Sequence, residues 1–81
     1  MNYKVYQING NEKIIVYRKR TKKGIKYITT YYNPYDGELV FGVGSTAYES
    51  VVKAEKKWRE SYPKSPNPFE ILLNLITYNF F

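Results

Sequence analysis

The sequence predicts an α+β fold: a four-stranded antiparallel β-meander followed by two α-helices packed on the sheet. Two observations carry this. Residues 3–43 fall into four short runs rich in β-branched and aromatic residues, separated by turn clusters. From residue 45 the apolar spacing changes to the three- and four-residue steps of a helix. Three short links between successive strands favour antiparallel neighbours. At 81 residues the chain is expected to form one domain over 1–81, with a sheet over 3–43, a helix over 45–62 and an apolar helix over 68–81.

The first strand is read over residues 3–8. Asn9 and Gly10 follow, the dipeptide best suited to a two-residue hairpin turn, because both central positions of that turn need positive φ. The second strand covers about 13–20, with Ile14, Ile15, Val16 and Tyr17 in succession. Thr21, Lys22, Lys23 and Gly24 then make a turn in which Gly24 is free to take a left-handed conformation. The third strand spans about 25–32. Asn33, Pro34, Tyr35, Asp36 and Gly37 form the next turn cluster, and the fourth strand runs over 38–43.

Thr46 and Glu49 form a T-x-x-E capping box, with Ser45 as an alternative cap. Ala47, Val51, Ala54, Trp58 and Tyr62 line one helix face, and Tyr48 and Val52 widen that stripe. Pro63 ends the helix, and residues 64–68 read as a stiff connector. Beyond it Phe69, Leu72, Leu73, Ile76 and Phe80 fit a second helix. Ile71, Leu75 and Tyr78 make it apolar nearly all round, so it needs cover on more than one face. It either completes the core or forms a seam with a second protomer or another partner. In the latter case Leu72, Leu75, Ile76, Tyr78 and Phe80 are the contact residues.

The chain contains no cysteine and no histidine. That removes disulfides, zinc and iron–sulfur ligation, cysteine nucleophiles and imidazole proton transfer. Gly42 and Gly44 lack the third glycine of a dinucleotide fingerprint, and no Walker lysine motif occurs. The expectation is a non-catalytic protein with no cofactor and no metal. The N-terminus has no apolar leader, and no apolar stretch reaches the roughly 20 residues that cross a bilayer, so the chain reads as cytoplasmic.

Charge points to a partner. The net charge is +6, from 13 basic and 7 acidic residues. Residues 1–30 hold eight basic residues against Glu12 alone, while residues 31–81 hold five against six. Arg18, Lys19, Arg20, Lys22, Lys23 and Lys26 place six positive charges in nine residues, at the tip of the hairpin joining the second and third strands. Such segregation suggests a polyanion, nucleic acid first, with DNA ahead of RNA, or else an acidic protein surface. Arg18 and Arg20 share a strand face and offer forked donors to phosphates or guanine edges; the lysines add point charges. Tyr27, or Tyr32, beside Lys26 is the candidate for stacking on unpaired bases if that face is uncovered. The other reading is a small protein-interaction module or inhibitor from a virus or mobile element, acting through its aromatic and apolar surface. Its motivation is the short chain with 19% aromatic residues.

The segment Glu38 to Thr46, in which the last strand passes through the cap into an amphipathic helix at Glu49, resembles the AP2-type and phage-integrase arm-binding domains. The resemblance covers about residues 13–62 and implies a sheet that inserts into the DNA major groove. Those families carry a tryptophan on a sheet strand, whereas Trp58 lies in the helical segment. Phe41 to Ser45 leading into a helix also resembles the end of a double-stranded-RNA-binding domain, without that family's first helix.

Overall fold

The computed structural model describes residues 2–7, 12–35, 37–64, 67–70 and 72–73. Four strands, β1 (Asn2–Gln7), β2 (Lys13–Thr21), β3 (Gly24–Asn33) and β4 (Glu38–Gly44), precede one helix, α1 (Ala47–Ser61). The strands form a single antiparallel sheet in the order β1-β2-β3-β4, the expected meander. Among the described residues no helix is long and apolar enough to cross a membrane.

The turns follow from their residues. At the β2–β3 end Thr21 pairs with Gly24, whose φ of 124° only glycine adopts readily. Thr21 Oγ1 donates to the Gly24 carbonyl at 2.9 Å and accepts from the Lys23 N–H at 3.3 Å. Between β3 and β4 the Asn33 side chain accepts from the Tyr35 N–H at 2.9 Å, and the Gly37 N–H returns to the Asn33 carbonyl at 2.9 Å. The Asn9-Gly10 turn lies outside the described residues.

Residue parity sorts the sheet into two faces. Ile14 and Val16 of β2, Thr29 and Tyr31 of β3 and Val40 of β4 lie under α1. The helix answers with Ala47, Val51, Ala54 and Trp58, all buried, and Phe69 and Leu72 close the end of this core. Tyr31 sits at the centre, its ring 6.1 Å from Trp58, 6.0 Å from Tyr62 and 6.0 Å from Phe69. Its hydroxyl donates to Glu12 at 2.7 Å. Tilted and edge-on rings at such spacings are favourable beyond their burial. Trp58 Nε1 is buried with no hydrogen-bond partner among the described residues.

The helix starts as its capping box requires: Thr46 Oγ1 accepts from the Glu49 N–H at 3.0 Å. Its buried stripe is narrower than the sequence suggests. Tyr48 and Val52 are exposed, and Ser50 is buried in their stead. The reason is close approach. A Cβ at Gly42 would stand 2.3 Å from the Ser50 carbonyl oxygen and 2.3 Å from the Ala54 nitrogen. Where backbone lies that near backbone, only the innermost helix positions touch the sheet. Ser50 Oγ donates to the Ala47 carbonyl at 2.8 Å and lies 2.8 Å from Thr29 Oγ1, so Thr29 donates to Ser50 and both buried hydroxyls are satisfied.

A second helix over 68–81 is not among the described elements, which include one helix. Helical backbone occurs at Phe69, Glu70, Leu72 and Leu73, begun by Asn67 Oδ1 accepting the Phe69 N–H at 2.9 Å. This is a turn seated on the core through Phe69 and Leu72, and residues 74–81 lie outside the described set.

Candidate nucleic-acid interface

The β2–β3 register places every member of the basic cluster. Arg18 pairs with Tyr27, Lys19 with Lys26, Arg20 with Ile25, and Thr21 with Gly24, leaving Lys22 and Lys23 as the two tip residues. Arg18 and Arg20 lie on the face that carries α1, while Lys19 and Lys26 lie on the opposite face. The cations therefore surround the ribbon end instead of lining one side of it.

Lys19 directly opposite Lys26 is an unfavourable cross-strand pair of like charges. The ion pairs among the described residues do not relieve it. They join Lys53 to Glu49 at 3.0 Å and Arg59 to Glu55 at 3.4 Å, each one turn apart along α1. None involves Lys19, Arg20, Lys22, Lys23 or Lys26 among the described residues.

Tyr27 does not stand beside Lys26 as a stacking ring. It is on the helix side, half-buried and packed against the core, because it follows the parity of Thr29 and Tyr31. Tyr32 shares the face of Lys26 and is 38% exposed, while its neighbour Tyr31 is 1% exposed. The side turned away from α1 also holds Tyr3, Tyr17 and Phe41, which the sequence did not single out. Alternation cannot choose between faces where Ile14 and Val16 compete with Ile15 and Tyr17; the glycines at 42 and 44 decide it by admitting the helix on their side. Of the residues expected at a partner seam, Leu72 is buried in the chain's own core, and Leu75, Ile76, Tyr78 and Phe80 lie outside the described residues.

A groove of about 340 Å³ runs from the hairpin to the start of α1, past Lys23, Lys26, Gly44, Ser45, Glu49 and Lys53. Its one carboxylate is held below the usual carboxylate range, first by the hydrogen bond from Lys53 and then by that ammonium's charge. Glu49 also accepts from the Ser45 backbone, so the helix start already has its anion. No group of three or more metal-ligating side chains occurs among the described residues.

Comparison with protein-family models, characterised proteins and solved structures finds no match to this chain.

Proposed function

We propose that this protein binds nucleic acid, duplex DNA before RNA, through the β2–β3 hairpin. The observation that carries the reading is the hairpin register. It concentrates Arg18, Lys19, Arg20, Lys22, Lys23 and Lys26 around one protruding tip and sets Lys19 against Lys26. A phosphate between two opposed ammonium groups turns a repulsion into two attractions. The B-DNA major groove, about 12 Å wide, admits a two-stranded ribbon. The deep, narrow major groove of A-form RNA does not admit side chains in that way. On this reading the arginines make directional contacts and the lysines hold phosphates, while Tyr27 supports the ribbon from the core side.

The test is titration of labelled duplex DNA, single-stranded DNA and RNA at two salt concentrations. Six neutralised phosphates give a slope of about −5 in log K against log salt, a loss of roughly 10³ between 50 and 200 mM. Neutralising Arg18, Arg20, Lys22 and Lys23 leaves two cations and brings the slope to about −2. Equal affinity of this variant and wild type refutes the site. An acidic protein surface would meet the same charges, and absence of duplex binding at low salt transfers the hairpin to such a partner.

A further inference from the structure

The face of the sheet turned away from α1 has no described element over it, yet it is built like a core. In register it carries Tyr3, Tyr17, Ile28 and Val43 in one row, Val5, Ile15, Thr30 and Phe41 in the next, then Lys13, Tyr32 and Leu39. Six of these residues, Tyr3, Val5, Tyr32, Leu39, Phe41 and Val43, are between 38% and 61% exposed. An antiparallel sheet that keeps one face in water ordinarily alternates to polar residues there.

We propose that this face is covered by a second copy of the chain, sheet against sheet. Area is the first argument. At roughly 150–250 Å² for a large side chain, the six exposed residues hold about 500 Å². That is the size of the largest apolar patch on a typical monomer, roughly 300–600 Å², and such patches are often functional. Two copies stacked on it remove about 1,000 Å² before the half-buried Ile15, Tyr17, Ile28 and Thr30 are added, which reaches the range of specific interfaces.

The placement of charge is the second. The two middle rows contain no ionisable group except the tyrosine hydroxyls, and Thr30 is their one other polar side chain. The lysines are confined to the ends, Lys19 and Lys26 at one and Lys13 at the other. A nucleic-acid strand crossing this face would find no cation for its phosphates in the two middle rows, whereas an identical apolar face buries Val5, Ile15, Ile28 and Val43. A two-fold axis across the row of Val5, Ile15, Thr30 and Phe41 sets the copies head to tail. Each Lys19–Lys26 row then projects past its partner into solvent, and the two hairpins point to opposite ends of the dimer. Stacked sheets pack about 10 Å apart with strands within about 30° of each other.

The test is sedimentation equilibrium of the wild type and of Phe41→Lys and Leu39→Lys, with circular dichroism to confirm the fold. Both positions are about half exposed, so neither change enters the chain's own core. The expected result is a wild-type species of twice the 9.6 kDa chain mass, and variants whose dissociation constant rises about 30-fold or more. A wild-type monomer throughout the concentration range overturns the proposal, as does a dimer that survives both substitutions. A monomer that loses single-stranded DNA affinity on Phe41→Leu gives the face to unpaired bases instead. A monomer destabilised by Phe41→Lys gives it to a segment of the same chain. The hairpin variant with Arg18, Arg20, Lys22 and Lys23 neutralised still dimerises, which separates this face from the proposed DNA contact.

Discussion

Replacing Gly42 by alanine tests the contact that builds this core. Alanine in a strand is intrinsically better than glycine by roughly 0.5–1 kcal/mol, because glycine loses more freedom on folding. The new methyl group, however, would lie 2.3 Å from both the Ser50 carbonyl oxygen and the Ala54 nitrogen, and 2.9 Å from Ala54 Cα. All three are backbone atoms of α1, so no side-chain rotation relieves the clash. The helix must retreat by about an ångström, loosening Val51, Ala54 and Trp58 over Ile14, Val16 and Tyr31. Overpacking of this kind costs about 1–3 kcal/mol, and a rigid neighbour puts Gly42→Ala at the upper end. An 81-residue domain has roughly 4–12 kcal/mol in all. At about 4–8 °C per kcal/mol the melting temperature should fall by roughly 10–20 °C in a thermal scan followed by circular dichroism. Gly44→Ala should cost less, since its contacts are longer, 2.8 Å to Glu49 Cβ, Glu49 Cγ and Ser50 N, and the Cγ can rotate away. An unchanged melting temperature for Gly42→Ala, or the reverse ranking, would refute the close approach.

The buried hydroxyl pair gives an asymmetric prediction. Ser50→Ala strands the Thr29 donor and should cost about 1–3 kcal/mol, whereas Thr29→Val leaves Ser50 bonded to Ala47 and should cost about 1 kcal/mol; denaturant titration ranks them, and equal costs would contradict the assigned donor. Thr46→Ala removes the acceptor for the Glu49 N–H and should destabilise by about 1 kcal/mol in the same titration. Glu49 has its folded-state pKa lowered, so its contribution is complete above the unfolded carboxylate pKa and is lost as pH falls through the folded value. Lys53→Met should move the Glu49 pKa up toward the ordinary value in an NMR titration, and no movement would remove Lys53 as the cause. Trp58, the single tryptophan, is buried among aromatic rings, its N–H without a partner among the described residues, so its emission should be blue-shifted and move to the red on unfolding; a water-like emission from the native protein would contradict that burial.

Much of the scaffold was legible because its signals are local. Turn residues such as Thr21, Gly24, Asn33 and Gly37 act within a few positions, and the Thr46–Glu49 cap and the Ala47, Val51, Ala54, Trp58 stripe need only one helix to be read. What failed depends on contacts between elements. Tyr48 and Val52 are apolar and correctly spaced for a wide stripe, but the approach at Gly42 narrows the contact to residues such as Ser50. The sequence offers both Tyr27 and Tyr32 to a base, yet parity and the helix place the first against the core and leave the second 38% exposed. The basic tip was legible as a run; the opposition of Lys19 and Lys26 emerged only with the register.

The meander also bears on how fast the chain reaches this state. Each strand pairs with its successor and α1 follows directly on β4, so the sheet assembles by local steps, while the packing of Trp58 and Phe69 over Ile14 and Tyr31 joins distant segments. The step most opposed by charge is the closing of β2 on β3, where Lys19 meets Lys26. Added salt should therefore accelerate refolding if that hairpin forms in the rate-limiting step, and Lys26→Gln should reproduce the acceleration without salt. The same tip that would seek phosphates then acts as a brake on folding, released whenever its charges are screened.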